Sequence, residues 1–292
     1  MASFGVFGGY NIRREPVSQF SKMSIPLEDN LSDIIGKAQR GLKISDSQLA
    51  EQAGISLRQV QEIRAGGFDA IAITQIAAVL HLNADALADS GRKAWYPEPV
   101  EPTDGLASFN TPFDDMTVNS YLLWDPETRR AGAFDTGSDC SDMLDFLEQN
   151  TLRLDAIFLT HTHGDHIYDL DRLKARTGAT AFVCKRERLE GAHSFEEGRR
   201  FEIGGLRVET RLTRGHSAGG ITYVVTGLSK PVAVVGDAIF AGSMGGGMVS
   251  YEDALRTNRE KILTLPEETV LCPGHGPMST VGEEKRHNPF FA

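Results

Sequence analysis

The chain has 292 residues, 40% of them hydrophobic and 24% charged, with a formal net charge of -10. That length sets one large or two modest domains as the expectation. The acidity argues against nucleic-acid binding through bulk electrostatics and against an anionic membrane surface, and no apolar run approaches the roughly 18 residues of a membrane span.

Residues 1–27 show no hydrophobic periodicity and are expected to be a flexible tail. From Leu31 the pattern becomes helical, with Leu31, Ile34, Ile35 and Ala38 at three- and four-residue spacing. Asp46 or Ser47 is placed to cap a second helix carrying Leu49 and Ala50, which Gly54 ends. Ser56 leads into a third with Val60 and Ile63, closed by Gly66-Gly67. Ile71, Ile73, Ile76 and Leu80 form a fourth, and residues 84–88 a short last one.

The order Leu49-Ala50-x-x-Ala53-Gly54-Ile55-Ser56, followed by Val60, Ile63 and Gly66, resembles the helix-turn-helix of the phage-repressor (Cro-like) family. The resemblance covers about 60 residues and implies a small all-α domain at 28–94. It also implies that the helix from Ser56 faces a major groove, with Arg58, Gln59 and Gln61 as candidate base readers. Between Leu31 and Lys93, however, seven Lys or Arg stand against seven Asp or Glu. A DNA-binding domain normally carries a basic footprint. The even balance ranks a module for homo-oligomerisation or partner docking ahead of DNA contact.

Trp95 to Pro102 holds three prolines within six residues, so 95–105 reads as a stiff linker and the domain boundary. Beyond it, residues 106–292 change texture. Residues 118–124 and 131–134 read as a hairpin turning at Asp125-Pro126, and Asp135-Thr136-Gly137 ends its second strand. Helices are expected at 141–149, 167–175 and 251–263. Strands are expected at 154–160, 179–184, 201–203, 206–212, 221–226, 232–235 and 269–272, with a closing helix from Gly282. Alternating strands and helices give an α/β core.

The stretch Leu159-Thr160-His161-Thr162-His163-Gly164-Asp165-His166 puts three imidazoles and a carboxylate at the end of an apolar strand. Neutral imidazole with carboxylate suits zinc, iron or manganese. His216, Asp237 and His275 each follow a strand and neighbour a glycine, the position where α/β sites are built. Cys140, Cys184 and Cys272 are sparse, odd in number and lack a C-x-x-C pair. They read as small buried hydrophobes in a reducing cytoplasm. Arg214 is read either as meeting a substrate carboxylate or as a surface ion pair.

The pattern H-x-H-x-D-H, then His216, Asp237 and His275, resembles the metallo-β-lactamase superfamily over residues 106–292. The resemblance implies an αββα sandwich with two divalent metals at one edge, zinc first, with iron or manganese as alternatives. By family role, His161, His163 and His216 hold the first metal, Asp165, His166 and His275 the second, and Asp237 bridges them. Asp165 and Asp237 are then the catalytic carboxylates, and Asp135 braces the histidine loop by hydrogen bonds. A hydroxide shared by two cations attacks a carbonyl without a strong base. A thiolate leaving group needs no acid, which suits thioesters.

The C-terminal run Pro273-Gly274-His275-Gly276-Pro277, with Asn288-Pro289-Phe290, looks like the glyoxalase II-like branch, whose members hydrolyse S-D-lactoylglutathione and related thioesters. That branch often carries a basic residue shortly after the bridging aspartate, facing the glutathione carboxylates. Here residues 241–248 hold none. The alternatives on the same scaffold are a single-iron persulfide dioxygenase and a metabolite-sensing DNA-binding regulator.

Overall fold

The computed structural model describes residues 24–101 and 103–292. The expected tail therefore lies outside the described residues as far as residue 23.

Five helices come first: α1 (Leu31–Leu42), α2 (Asp46–Ala53), α3 (Leu57–Arg64), α4 (Ala70–Leu80) and α5 (Ala84–Arg92). Asn30, Ser45 and Ser56 start the first three with capping boxes. Each satisfies backbone N–H groups that the first helical turn leaves unpaired. The α2 cap is thus Ser45, one residue before the positions expected, because its hydroxyl accepts from the Gln48 N–H while the Gln48 side chain reaches back. Ile34, Ile35, Leu49, Ile73, Ile76 and Leu87 build the helical core. Met244, Ala254 and Phe290, from the C-terminal half of the chain, are sealed into that same core.

Two six-stranded mixed sheets follow. The first runs in chain order, β1 (Leu106–Phe113), β2 (Met116–Trp124), β3 (Arg130–Phe134), β4 (Arg153–Phe158), β5 (Thr180–Cys184) and β6 (His193–Phe195). Its strands from β3 to β6 are parallel, and helices make the crossovers from β3 to β4 and from β4 to β5. These are α6 (Ser141–Gln149), the single turn α7 (Gly164–Ile167) and α8 (Leu170–Thr177). The second sheet comprises β7 (Arg200–Ile203), β8 (Leu206–Leu212), β9 (Ile221–Thr226), β10 (Val232–Gly236), β11 (Val270–Pro273) and β12 (Ser279–Thr280).

The sheets stack through Tyr121, Phe134, Phe158, Val208, Tyr223 and Val234. Met143, Leu147, Leu170 and Leu173 pack α6 and α8 on the outer face of the first sheet. Ile262 and Val281 cover the second, from the π-helical turn Asn258–Ile262 that continues α9 (Tyr251–Thr257) and from α10 (Val281–His287). The result is helix, sheet, sheet, helix, an α/β fold whose outer layers are helical.

Candidate metal centre

Four strand ends deliver the site. After β4 the chain turns through His161 and His163. Asp165 and His166 then fall inside the helical turn α7, not in a plain loop, because helix begins at Gly164, three residues before the expected start. His216 lies between β8 and β9, Asp237 directly follows β10, and His275 follows β11.

These seven side chains form two groups. His161, His163, His216 and Asp237 bring one ligand atom each within 4.8 Å of one another, and so do Asp165, His166 and His275. Asp237 stands between them. Its Oδ2 is 3.3 Å from His216 Nε2 and 3.5 Å from His275 Nε2, while its Oδ1 is 3.3 Å from His166 Nε2. Asp165 Oδ2 lies 3.2 Å from His275 Nε2.

The outer nitrogens are committed elsewhere, which fixes the inner ones. Thr160 Oγ1 donates to Asp135 Oδ2 at 2.7 Å. With that proton spent, His161 Nδ1, 3.0 Å from Thr160 Oγ1, is the donor. His166 Nδ1 donates to Asp135 Oδ2 at 2.8 Å, His216 Nδ1 to the Gly246 carbonyl at 3.2 Å and His275 Nδ1 to the Thr117 carbonyl at 2.7 Å. Each leaves its Nε2 facing the cluster, the arrangement that presents a lone pair to a cation. His163 instead presents Nδ1, 3.0 Å from both His161 Nε2 and His216 Nε2.

The donor set fits divalent cations. Among the described residues, His166 Nε2 and Asp237 Oδ1 are buried without a hydrogen-bond partner, and buried polar atoms rarely go unsatisfied. Burial, then the neighbouring imidazole of His166, pushes His161 well below the usual histidine range. Burial also lowers His216, although the Asp237 carboxylate opposes it. Both are held neutral, as ligands must be. At His166 and His275 burial works in the same direction. There Asp237, with Asp135 or Asp165, overrides it and raises them to about 10 and about 11. A cation held by the second group would take the place of those protons.

Several supporting residues carried no sequence signal. Asn119 of β2 donates from Nδ2 to the carbonyls of Pro273 and Gly276, and the Tyr121 hydroxyl donates to Pro273 at 2.7 Å. They pin the His275 loop against the opposite sheet. Gly245 lies so close to Asp237 that a Cβ there would collide with the Asp237 carbonyl. Arg214 is ion-paired with Asp253 at 2.8 Å, which settles its two readings in favour of the ion pair. His287 stacks on Trp95 with ring centroids 5.0 Å apart, and all three cysteines are buried and free.

A cavity of about 570 Å³ opens onto the cluster, lined by His216, Asp237, His275, Phe240 and Met248, and by Glu28, Lys37 and Arg40 from the N-terminal half. Arg58, Gln59 and Gln61 of α3 are not among its lining residues. Arg58 is paired with Glu62 at 2.8 Å, and the Gln59 side chain is occupied capping its own helix.

The family model described as the metallo-beta-lactamase superfamily matches residues 114–275, more than half of the chain. The chain belongs to the metallo-beta-lactamase superfamily. A probable metallo-hydrolase of Bacillus subtilis is 30% identical over 206 residues, 62% of this chain and 95% of that protein. A Haemophilus influenzae protein named hydroxyacylglutathione hydrolase GloC is 28% identical over 205 residues, again 62% and 95%. The crystal structure of ETHE1 from Myxococcus xanthus has a TM-score of 0.55 at 27% identity, covering 63% of this chain and 83% of that one. Superfamily members generally bind divalent metals, and the His/Asp cluster of this chain offers ligand atoms that could hold them. No helix among the described residues is long and apolar enough to cross a membrane.

Proposed function

We propose that the protein is a dinuclear metal-dependent hydrolase of thioesters, of the glyoxalase II-like kind, with S-D-lactoylglutathione as the model substrate. The observation that carries this is the position of Asp237 between two complete ligand groups. His161, His163 and His216 would hold one ion, Asp165, His166 and His275 the other, with Asp237 shared. Such ions lower the pKa of a bound water from 15.7 to about 7, so that a nucleophile is present at neutral pH.

The residues of this chain do the rest. Asp135 holds His166 and Thr160 in register, and through Thr160 it holds His161. Phe240, itself buried, and the exposed Met248 line the cavity beside the cluster. Apart from the ligands, the carboxylate lining the cavity is Glu28, which burial keeps above the usual carboxylate range. A thiolate leaves without help from an acid, which favours thioesters over amides. The likeness to a protein named hydroxyacylglutathione hydrolase supports the same reading. We assign zinc as the metal, and the helical domain to docking in preference to DNA reading, because Arg58 and Gln59 are engaged within α3.

Elemental analysis beside a thioester panel tests this. Two metals per chain with hydrolysis of S-D-lactoylglutathione are expected. One iron per chain with oxygen uptake on glutathione persulfide would replace the hydrolase with a dioxygenase. Salt-sensitive gel shifts lost in Arg58→Ala would return α3 to DNA.

A further inference from the structure

The loop after Asp237 runs Ala241-Gly242-Ser243-Met244-Gly245-Gly246-Gly247-Met248 and supplies no cation to the cleft. The helical domain does. Lys37, Arg40 and Gly41 of α1 line the same cavity as His216, Asp237 and His275.

Helix α1 is fixed in that position. Gly41 lies flat against the Tyr251 ring, where any side chain would collide. Met244 is fully buried in the helical core. Lys37 Nζ donates to Asp29 and to the Met244 carbonyl, and Ser243 Oγ donates to Asp29. Helix and loop are thereby joined by buried apolar contact and by an ion pair that is itself largely buried.

The two α1 cations differ. Asp29 neutralises Lys37, which spends its protons holding the loop. Arg40 has no ion-pair partner among the described residues and is exposed, with its side chain at the cavity wall. Its Nη1 lies near Gly36 and Arg64, at the edge of an adjoining pocket, and a guanidinium swung from there to the cavity would match a carboxylate through two parallel N–H donors. Met116, Phe240 and Met248 supply the apolar part of the wall, and Glu28 is the carboxylate that shares it.

We propose that Arg40 is a specificity-determining residue, an anion clamp that the helical domain lends to the catalytic cleft, and that the substrate carries a carboxylate on the part remote from the reacting bond. The choice of glutathione-derived probes rests on the thioester reading above. The clamp itself rests on the shared cavity.

The test uses the full-length, metal-loaded protein and two blocked ligands, S-methylglutathione and its dimethyl ester, which lacks both carboxylate charges. Calorimetric titration of the wild type is expected to favour the acid over the ester. Arg40→Ala should weaken acid binding about tenfold, equivalent to 1.4 kcal/mol, and leave ester binding and metal content unchanged. Arg40→Lys should retain part of the preference. Equal affinity of the wild type for both ligands, no binding of either, or an acid preference that survives in Arg40→Ala would each overturn the clamp. The last outcome would put the carboxylate on the metals instead.

In a parallel assay on thioesters, Arg40→Ala should raise KM for the carboxylated substrate with little change in kcat. Arg40-dependent binding without hydrolysis of any thioester sinks the proposed reaction and leaves the clamp standing. Hydrolysis insensitive to Arg40 does the reverse.

Discussion

The Asp135 carboxylate accepts the hydrogen bond of His166 Nδ1–H at 2.8 Å while its other oxygen accepts from the Thr160 backbone N–H at 2.7 Å. Asp135 does this from a left-handed backbone conformation, φ 57°, which non-glycine residues adopt at a cost. One side chain thus sets the orientation of a second-group histidine and of the strand end that carries His161. Removing the charge in Asp135→Asn should lower metal affinity about 10–100-fold with the fold retained. Chelator-competition titration beside far-UV circular dichroism checks this. Unchanged affinity would reduce Asp135 to a local cap of strand-end amides.

Asp165 touches only the second group. Asp165→Asn should therefore cut metal stoichiometry from two ions to one and lower thioester hydrolysis by about two orders of magnitude, since only one ion then remains to activate water. Full hydrolytic activity with one ion would show that the second group is not needed for the reaction.

Gly245 admits no side chain beside the Asp237 carbonyl, and a Cβ there would also sit 3.0 Å from His216 Nδ1. Gly245→Ala must push either the loop or His216 aside. A destabilisation of about 1–3 kcal/mol is expected from such overpacking, visible as a lower Tm, together with weaker metal binding in the first group. Gly246→Ala, whose Cβ would meet only Met248 at 3.9 Å, serves as the tolerant control.

Glu284 gives the chain a pH-dependent stability of its own. It is fully buried, accepts from Gly242 N at 3.0 Å and Asn288 Nδ2 at 2.7 Å, and burial moves it up to about 7. Its folded value lies above the unfolded one, so the folded state binds the extra proton. The stabilisation is complete below pH ~4.5 and is lost as pH rises toward 7. Glu284→Gln, which cannot ionise, should flatten the fall in Tm between about pH 5 and 7. An identical slope in the variant would assign the pH dependence to other groups.

The ligand cluster was legible because its residues are rare types, crowded into one turn after an apolar strand and echoed at three later strand ends. Edge strand β1 was missed. Its Asn110, Thr111 and Pro112 break the alternation that marks a strand, and Pro112 is tolerated because an edge position leaves its missing N–H unneeded. Asn119 and Tyr121 gave no signal either, since a polar group on a strand becomes meaningful only once the opposing sheet supplies its partner. The turn α7 was read as loop because four residues are too few to show a helical period. Least legible was the entry of α1 into the cleft. Lys37 and Arg40 look like ordinary polar-face residues of an amphipathic helix, and only docking against Tyr251 and Met244 gives them a cavity to line.

Met244, seven residues after Asp237, belongs to the helical interior as fully as any residue of the helices themselves. The peptide between Trp95 and Leu106 is therefore not the seam at which the molecule comes apart. A nick there would cut the chain yet leave both fragments associated, and loosening the helices would withdraw support from the loop behind the shared carboxylate. Melting of the helices and disruption of the ligand cluster are then expected in one cooperative transition.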